Sequence, residues 1–213
     1  MKSKDKNKIK ALIFDMNGVL ALGIELKQGS KISKSFHIKI SKKLGISLDT
    51  WFDAIDSVYA NSIEGKISGK KVGTIISENL GVPKCKLEKN IIQTYQKIFR
   101  QNRELYEYAF KKKKEDYKIA ILSDQWHFSQ KAIFDKKLLK NFDAVISSNK
   151  VGMRKPNPRI YKLTLKKMKI KPSEAIFIDN RKWNLKPAEK LGMKAVLFKS
   201  NKQTIREIEG ILK

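Results

Sequence analysis

Four polar clusters in this chain have the residue types of a reactive site: Asp15, Ser123 with Asp124, Lys155, and Asp179 with Asn180. A carboxylate such as Asp15 can attack phosphorus and form an acyl-phosphate. Two aspartates, Asp15 and Asp179, can hold a hard cation such as Mg²⁺ through oxygen. A hydroxyl from Ser123 and an ammonium from Lys155 can grip phosphate oxygens and screen their charge against an approaching carboxylate. These residues lie far apart along the chain, so only the fold can assemble them.

The elements that must do so are visible as short apolar, β-prone runs, most ending in one of these clusters. They are "IKALIFD" (Ile9 to Asp15), "YKIAILSD" (Tyr117 to Asp124), "FDAVISS" (Phe142 to Ser148, ahead of Lys155) and "AIFIDN" (Ala175 to Asn180), with "KAVLF" (Lys194 to Phe198) as a fifth. Helical segments such as "FSQKAIFDKKLL", "PRIYKLTLKKMK" and "LKPAEKLG" fall between them. Buried strands alternating with helices predict an α/β fold, a doubly wound five-stranded parallel sheet covered on both faces. The carboxyl edge of such a sheet is where ligands bind. Residues 21–101 read differently. Four segments there carry apolar residues at three- and four-residue spacing, and "LG" closes two of them. This predicts an all-helical cap, 21–101, inserted into a core made of 1–20 and 102–213. The first ten residues are expected to be frayed.

The ordered set of motifs resembles the haloacid dehalogenase (HAD) superfamily, in the subgroup with a small helical cap after the first strand. "FDMNGVL" is similar to its first motif, "ILSD" to its second, "GMRKPNPRIY" to its lysine motif, and "FIDNRKWN" followed by "AEKLGMKAVLF" to its fourth. The resemblance covers Ile9 to Phe198, and the lysine motif is its most specific part. It implies that Asp15 is a nucleophile and a Mg²⁺ ligand, with the Asn17 carbonyl as a second ligand. It implies that Ser123, with the backbone after it at Asp124, binds the phosphoryl group. Lys155 would neutralise the nucleophile–phosphate pair, and Asp179 would anchor the cation. Members are typically phosphatases of small phosphorylated metabolites.

Two positions depart from that pattern. The residue two after the nucleophile is normally an acid that protonates the leaving alkoxide and then activates water. Asn17 hydrogen-bonds but transfers no proton. Asn180 stands where a second acidic ligand is common, so the cation would meet less negative charge. The expectation is a Mg²⁺-dependent phosphatase working through an aspartyl-phosphate at Asp15, with a slowed hydrolysis step. Two rivals follow from the same residues. A metal-independent 2-haloacid dehalogenase also needs no second acid. A non-catalytic HAD-like module binding RNA or another acidic partner would suit the two Asp-to-Asn changes and the charge.

Composition bounds these readings. The chain has 213 residues, 41% of them hydrophobic, enough to bury a core. Its net charge is +26, carried almost entirely by lysine, with arginine only at Arg100, Arg103, Arg154, Arg159, Arg181 and Arg206. Nucleic-acid surfaces favour bidentate arginine and interleaved aromatics, and "KKKKED" has neither. The charge therefore reads as compositional bias, and the expected partner is a small phosphorylated substrate, with no nucleic acid and no membrane. A lone cysteine, Cys85, read as a buried spectator thiol, and a charged start with no apolar core segment suggest a cytoplasmic protein. Trp126 and Trp183 each follow a motif strand and either flank the pocket or pack helix on sheet. His37 reads as a cap-surface residue. His127, beside the second motif, is a candidate to supply the proton chemistry that Asn17 lacks.

Overall fold

The computed structural model describes residues 8–23 and 32–213. Five strands, β1 (Ala11–Phe14), β4 (Lys118–Ser123), β5 (Ala144–Ser147), β6 (Ala175–Asp179) and β7 (Lys194–Leu197), form one parallel sheet in the order β5-β4-β1-β6-β7. The register pairs Phe14 with Ile121 on one side and with Ile178 on the other. The carboxyl ends of β4, β1 and β6 therefore lie level with one another.

Alternation along each strand divides the core into two layers, because successive side chains point to opposite faces. Leu12, Phe14, Ile119, Ile121, Ile176 and Ile178 face one side, covered by α5 (Arg103–Lys114) and α11 (Asn201–Leu212). Ala11, Ile13, Ala120, Leu122 and Phe177 face the other, covered by α9 (Pro158–Met168) and α10 (Lys182–Lys190). The predicted segment 128–139 is split into α6 (His127–Ile133) and α7 (Lys136–Leu139), because the Asp135 carboxylate accepts from the Lys137 N–H and caps a new helix. A four-residue turn of helix, α8 (Ser148–Val151), follows β5 directly.

Between β1 and β4 the chain builds α1 (Ile32–Leu44), α2 (Leu48–Ile63), α3 (Gly69–Leu80) and α4 (Lys84–Ile98). Gly81 ends α3 in the left-handed region at φ +62°, the glycine stop read from "LG". The four helices share a core of Phe36, Ile40, Trp51, Ile55, Val72, Ile76, Leu87 and Ile91, into which Trp126 and Phe128 also insert. The insert is not wholly helical. It is entered by β2 (Ala21–Gly23) and left by β3 (Phe99–Gln101), which pair antiparallel as a two-stranded ribbon. Strands of three residues carry too little periodicity to be read from sequence.

Two further expectations are revised. Cys85 is exposed. His37 is half-buried, not a surface residue: its Nδ1 accepts from Trp51 Nε1 at 2.8 Å, and burial lowers its pKa to about 4. The frayed N-terminus falls mostly outside the described residues. Among the described residues no helix is long and apolar enough to cross a membrane.

Candidate active site

The end of β1 delivers Asp15, whose backbone N–H donates to Ile178 O at 2.8 Å, so the sheet pairing continues through the residue itself. The chain then turns tightly. Gly18 has φ +84°, and a Cβ at this position would overlap the Asn180 amide. Glycine here lets the first turn lie directly against the turn after β6.

Lys155 joins these elements. Its ammonium is buried and lies 2.9 Å from Asp15 Oδ1 and 2.6 Å from Asp179 Oδ2, and it also donates to Leu122 O. Its backbone N–H donates to Asp124 Oδ1 at 3.0 Å. Burial alone would lower the Lys155 pKa, but the carboxylates of Asp15, Asp179 and Asp124 outweigh it and hold the ammonium firmly protonated. Asp179 is saturated. Its Oδ1 accepts from the Arg181 N–H at 2.8 Å, and its Oδ2 accepts from Lys155 and from Asn184 Nδ2. Burial and then the charge of Asp15 push its pKa up to about 6, against the pull of Lys155 and the Arg181 N–H.

A residue that sequence reasoning missed organises the other side. Gln125 is fully buried, and its Nε2 donates to both Ser123 Oγ (3.0 Å) and Asn17 Oδ1 (3.1 Å). Its Oε1 accepts from Ser129 Oγ, which fixes the amide's orientation. The bond to Asn17 turns the Asn17 Nδ2 away from Gln125. The only local signal was a large polar residue directly after the Ser123–Asp124 pair.

All seven predicted site residues thus fall at one edge of the sheet, linked directly or through Gln125 and Gly18. His127 does not join them. Its Nδ1 shares a 2.9 Å hydrogen bond with Ser62 of α2, and its ring lines a cavity of about 600 Å³ with Lys70, Lys84, Lys131 and Lys150. Burial and then Lys150 lower its pKa. Trp126 is buried, with Nε1 donating to Tyr95 OH at 2.7 Å, so it packs the insert onto the core. Trp183 is the exposed one, with the Arg181 guanidinium over its ring. From α2, Tyr59 stacks edge-on against Trp126, and just past its end Glu64 pairs with Arg154 at 3.4 Å.

The fit to a cation can be tested on the oxygens themselves. Among the described residues two buried side-chain oxygens have no aligned hydrogen-bond donor, Asp15 Oδ1 and Asn180 Oδ1. The 2.9 Å approach of Lys155 to the former is an ion pair, not a directed bond. Buried acceptors without donors are costly, and Mg²⁺ takes such hard oxygens. The residues present fit a divalent cation. Among the described residues no three His, Cys, Asp or Glu side chains converge as a metal cage, so the donor set is short of charge.

The haloacid dehalogenase-like hydrolase family matches residues 9–192. The chain belongs to this family. Its helical insert lies between β1 and β4, as in the capped members. The bifunctional epoxide hydrolase 2 of Sus scrofa is 27% identical over 95% of this chain, which spans 39% of that protein's length. The glyceraldehyde 3-phosphate phosphatase of Pyrococcus furiosus is 35% identical over 46% of this chain and 41% of its own. The chain therefore aligns with about two fifths of each of these curated relatives. Among solved structures, an Asp-to-Ala variant of a HAD-family enzyme from Bacteroides thetaiotaomicron, in complex with magnesium and inorganic phosphate, superposes with a TM-score of 0.70. It is 23% identical, covering 91% of this chain and 95% of its own, and supports the HAD fold. The protein is accordingly a HAD-family hydrolase.

Proposed function

We propose that this hydrolase is a Mg²⁺-dependent phosphatase acting on a small phosphorylated molecule. The observation that carries this reading is the buried Lys155 ammonium bridging Asp15 and Asp179 at the sheet edge. A cation so placed lets a nucleophilic carboxylate approach a phosphate dianion without prohibitive repulsion. Asp15 is the nucleophile, and Ser123 and the backbone after it hold the phosphoryl oxygens. Asp15, the Asn17 carbonyl and Asn180 would hold Mg²⁺, with Asp179 behind them anchoring Lys155. Bound there, the ion would neutralise phosphoryl oxygens and orient them.

Attack by Asp15 forms an aspartyl-phosphate and expels the leaving oxygen; water then releases phosphate. Asn17 can donate a hydrogen bond to the leaving oxygen but not a proton. A site in which no other group took over that role would lose about 10²–10⁴-fold in rate and would favour leaving groups already stable as anions, such as acyl, aryl or anomeric phosphates. Residues 21–101 serve as the cap, hinged at the β2–β3 ribbon and closing on the site through Tyr59 and Glu64. The partner is a small molecule.

Turnover of p-nitrophenyl phosphate that needs Mg²⁺ and disappears in Asp15→Asn is the expected result. Activity surviving that substitution, or no turnover of any aryl phosphate, overturns the proposal. Asn17 is the one feature that suits 2-haloacid dehalogenation better. Halide release from 2-chloropropionate in the presence of a chelator would move the reading there.

A further inference from the structure

Asn17 leaves proton transfer unassigned, and we propose that Asp124 is the general acid and base of this site. The inference rests on the phosphatase reading above. Asp15, Ser123, Lys155 and Asp179 are buried; the site side chains that reach accessible surface are Asn17, Asp124 and Asn180. Two of those three are amides, which carry no exchangeable charge at neutral pH. Besides the nucleophile Asp15, whose side chain keeps a sliver of accessible surface, Asp124 is the site acid that a substrate or water can touch.

Its carboxyl is also held for the task. Oδ1 is pinned by the Lys155 N–H at 3.0 Å, and among the described residues no donor occupies Oδ2. It makes no hydrogen bond or ion pair with Asp15, Asn17, Asp179 or Asn180. The alternatives are engaged elsewhere. Both oxygens of Asp179 are taken by Lys155, Asn184 and the Arg181 N–H, and His127 is bonded to Ser62. Asp124 faces Lys155 and Arg154 from the segment after α8, Asp15 from the end of β1, Tyr59 from α2 and Tyr161 from α9. Burial raises its pKa, Asp15 adds to the rise, and Lys155 and Arg154 oppose it, leaving the net shift upward. That direction brings a carboxyl closer to the range where it exchanges protons near neutrality.

In the first half-reaction an Asp15 oxygen bonds to phosphorus. The phosphorus–oxygen bond to the leaving group breaks with its electron pair on that oxygen, which takes the Asp124 proton. In the second, the Asp124 carboxylate takes a proton from water as the water oxygen bonds to phosphorus. The bond to Asp15 breaks, Asp15 recovers its carboxylate, and Asp124 ends protonated as it began.

The experiment compares ethyl phosphate, whose leaving group needs a proton, with p-nitrophenyl phosphate, whose leaving group does not. Asp124→Asn should lower kcat for ethyl phosphate by about 10²–10⁴-fold, whereas the single-turnover rate of p-nitrophenol release should fall at least about tenfold less. The fall of ethyl phosphate turnover with rising pH should vanish in the variant. Asn17→Asp in the Asp124→Asn background should restore ethyl phosphate turnover, with thermal melts confirming that each variant is folded. Equal losses on both substrates without rescue, or no loss at all, overturn the role of Asp124. Absence of any p-nitrophenol release by the unsubstituted protein with Mg²⁺ overturns the phosphatase reading instead.

Discussion

Replacing Lys155 with Met removes the charge at the centre of the site while keeping most of the stem's volume. The ammonium is buried 2.9 Å from Asp15 Oδ1 and 2.6 Å from Asp179 Oδ2, so its loss leaves two uncompensated carboxylates in a dry setting. Breaking a buried ionic cluster by deleting one partner costs about 3–5 kcal/mol. For a protein of this size that corresponds to a fall in Tm of roughly 6–20 °C at pH 7. The sign of the pH dependence follows from Asp179, whose folded-state pKa is pushed up to about 6, above that of an unfolded aspartate. A carboxyl whose pKa is raised on folding favours the folded state increasingly as pH falls through the folded value. Without Lys155 the downward pull on the Asp179 carboxyl is gone and its pKa rises further. The penalty should therefore shrink between pH 7 and pH 5. Thermal and urea unfolding of the two proteins at both pH values reads this directly. A loss of the same size at both pH values, or a variant as stable as its parent at pH 7, would show that Lys155 does not hold these carboxylates together.

Asn180→Asp adds a carboxylate beside a donorless oxygen and should tighten Mg²⁺ binding by about tenfold or more, read as a larger Mg²⁺-induced rise in Tm; an unchanged rise would place the ion elsewhere. Gly18→Ala forces a side chain into the left-handed region and into the Asn180 amide, so stability should fall by more than about 1–2 kcal/mol and the Mg²⁺ response should weaken with it. Gln125→Ala leaves Ser123, Ser129 and Asn17 without their shared partner and should cost about 1–3 kcal/mol; a urea midpoint unmoved from the parent's would show that the network does not hold the site.

How much of this was legible in the sequence depends on the range of the interaction. Asp15, Ser123 and Asp179 end strands whose apolar runs announce them, and parallel pairing does the rest without further instruction. Lys155 was readable from "GMRKP" though not from composition, since lysine is the commonest charge in the chain. Gln125 escaped because its meaning lies in Asn17, 108 positions away, and in Ser129, across a helix start. The ribbon of β2 and β3 escaped because three residues carry no pattern. His127 was near the second motif in sequence, but the direction of its ring is set by Ser62, 65 positions away in another helix. The two tryptophans were indistinguishable locally; Trp126 is buried because Tyr95 offers its indole a partner, whereas Trp183 lies beside Arg181 at the surface.

Everything proposed for this site requires that Asp15 become covalently phosphorylated. Rapid quenching of the protein with p-nitrophenyl phosphate and Mg²⁺, followed by borohydride reduction and peptide mapping, tests it most directly. The expected label is confined to Asp15 and absent from Asp15→Asn. Turnover without a label, or a label on another residue, would contradict it.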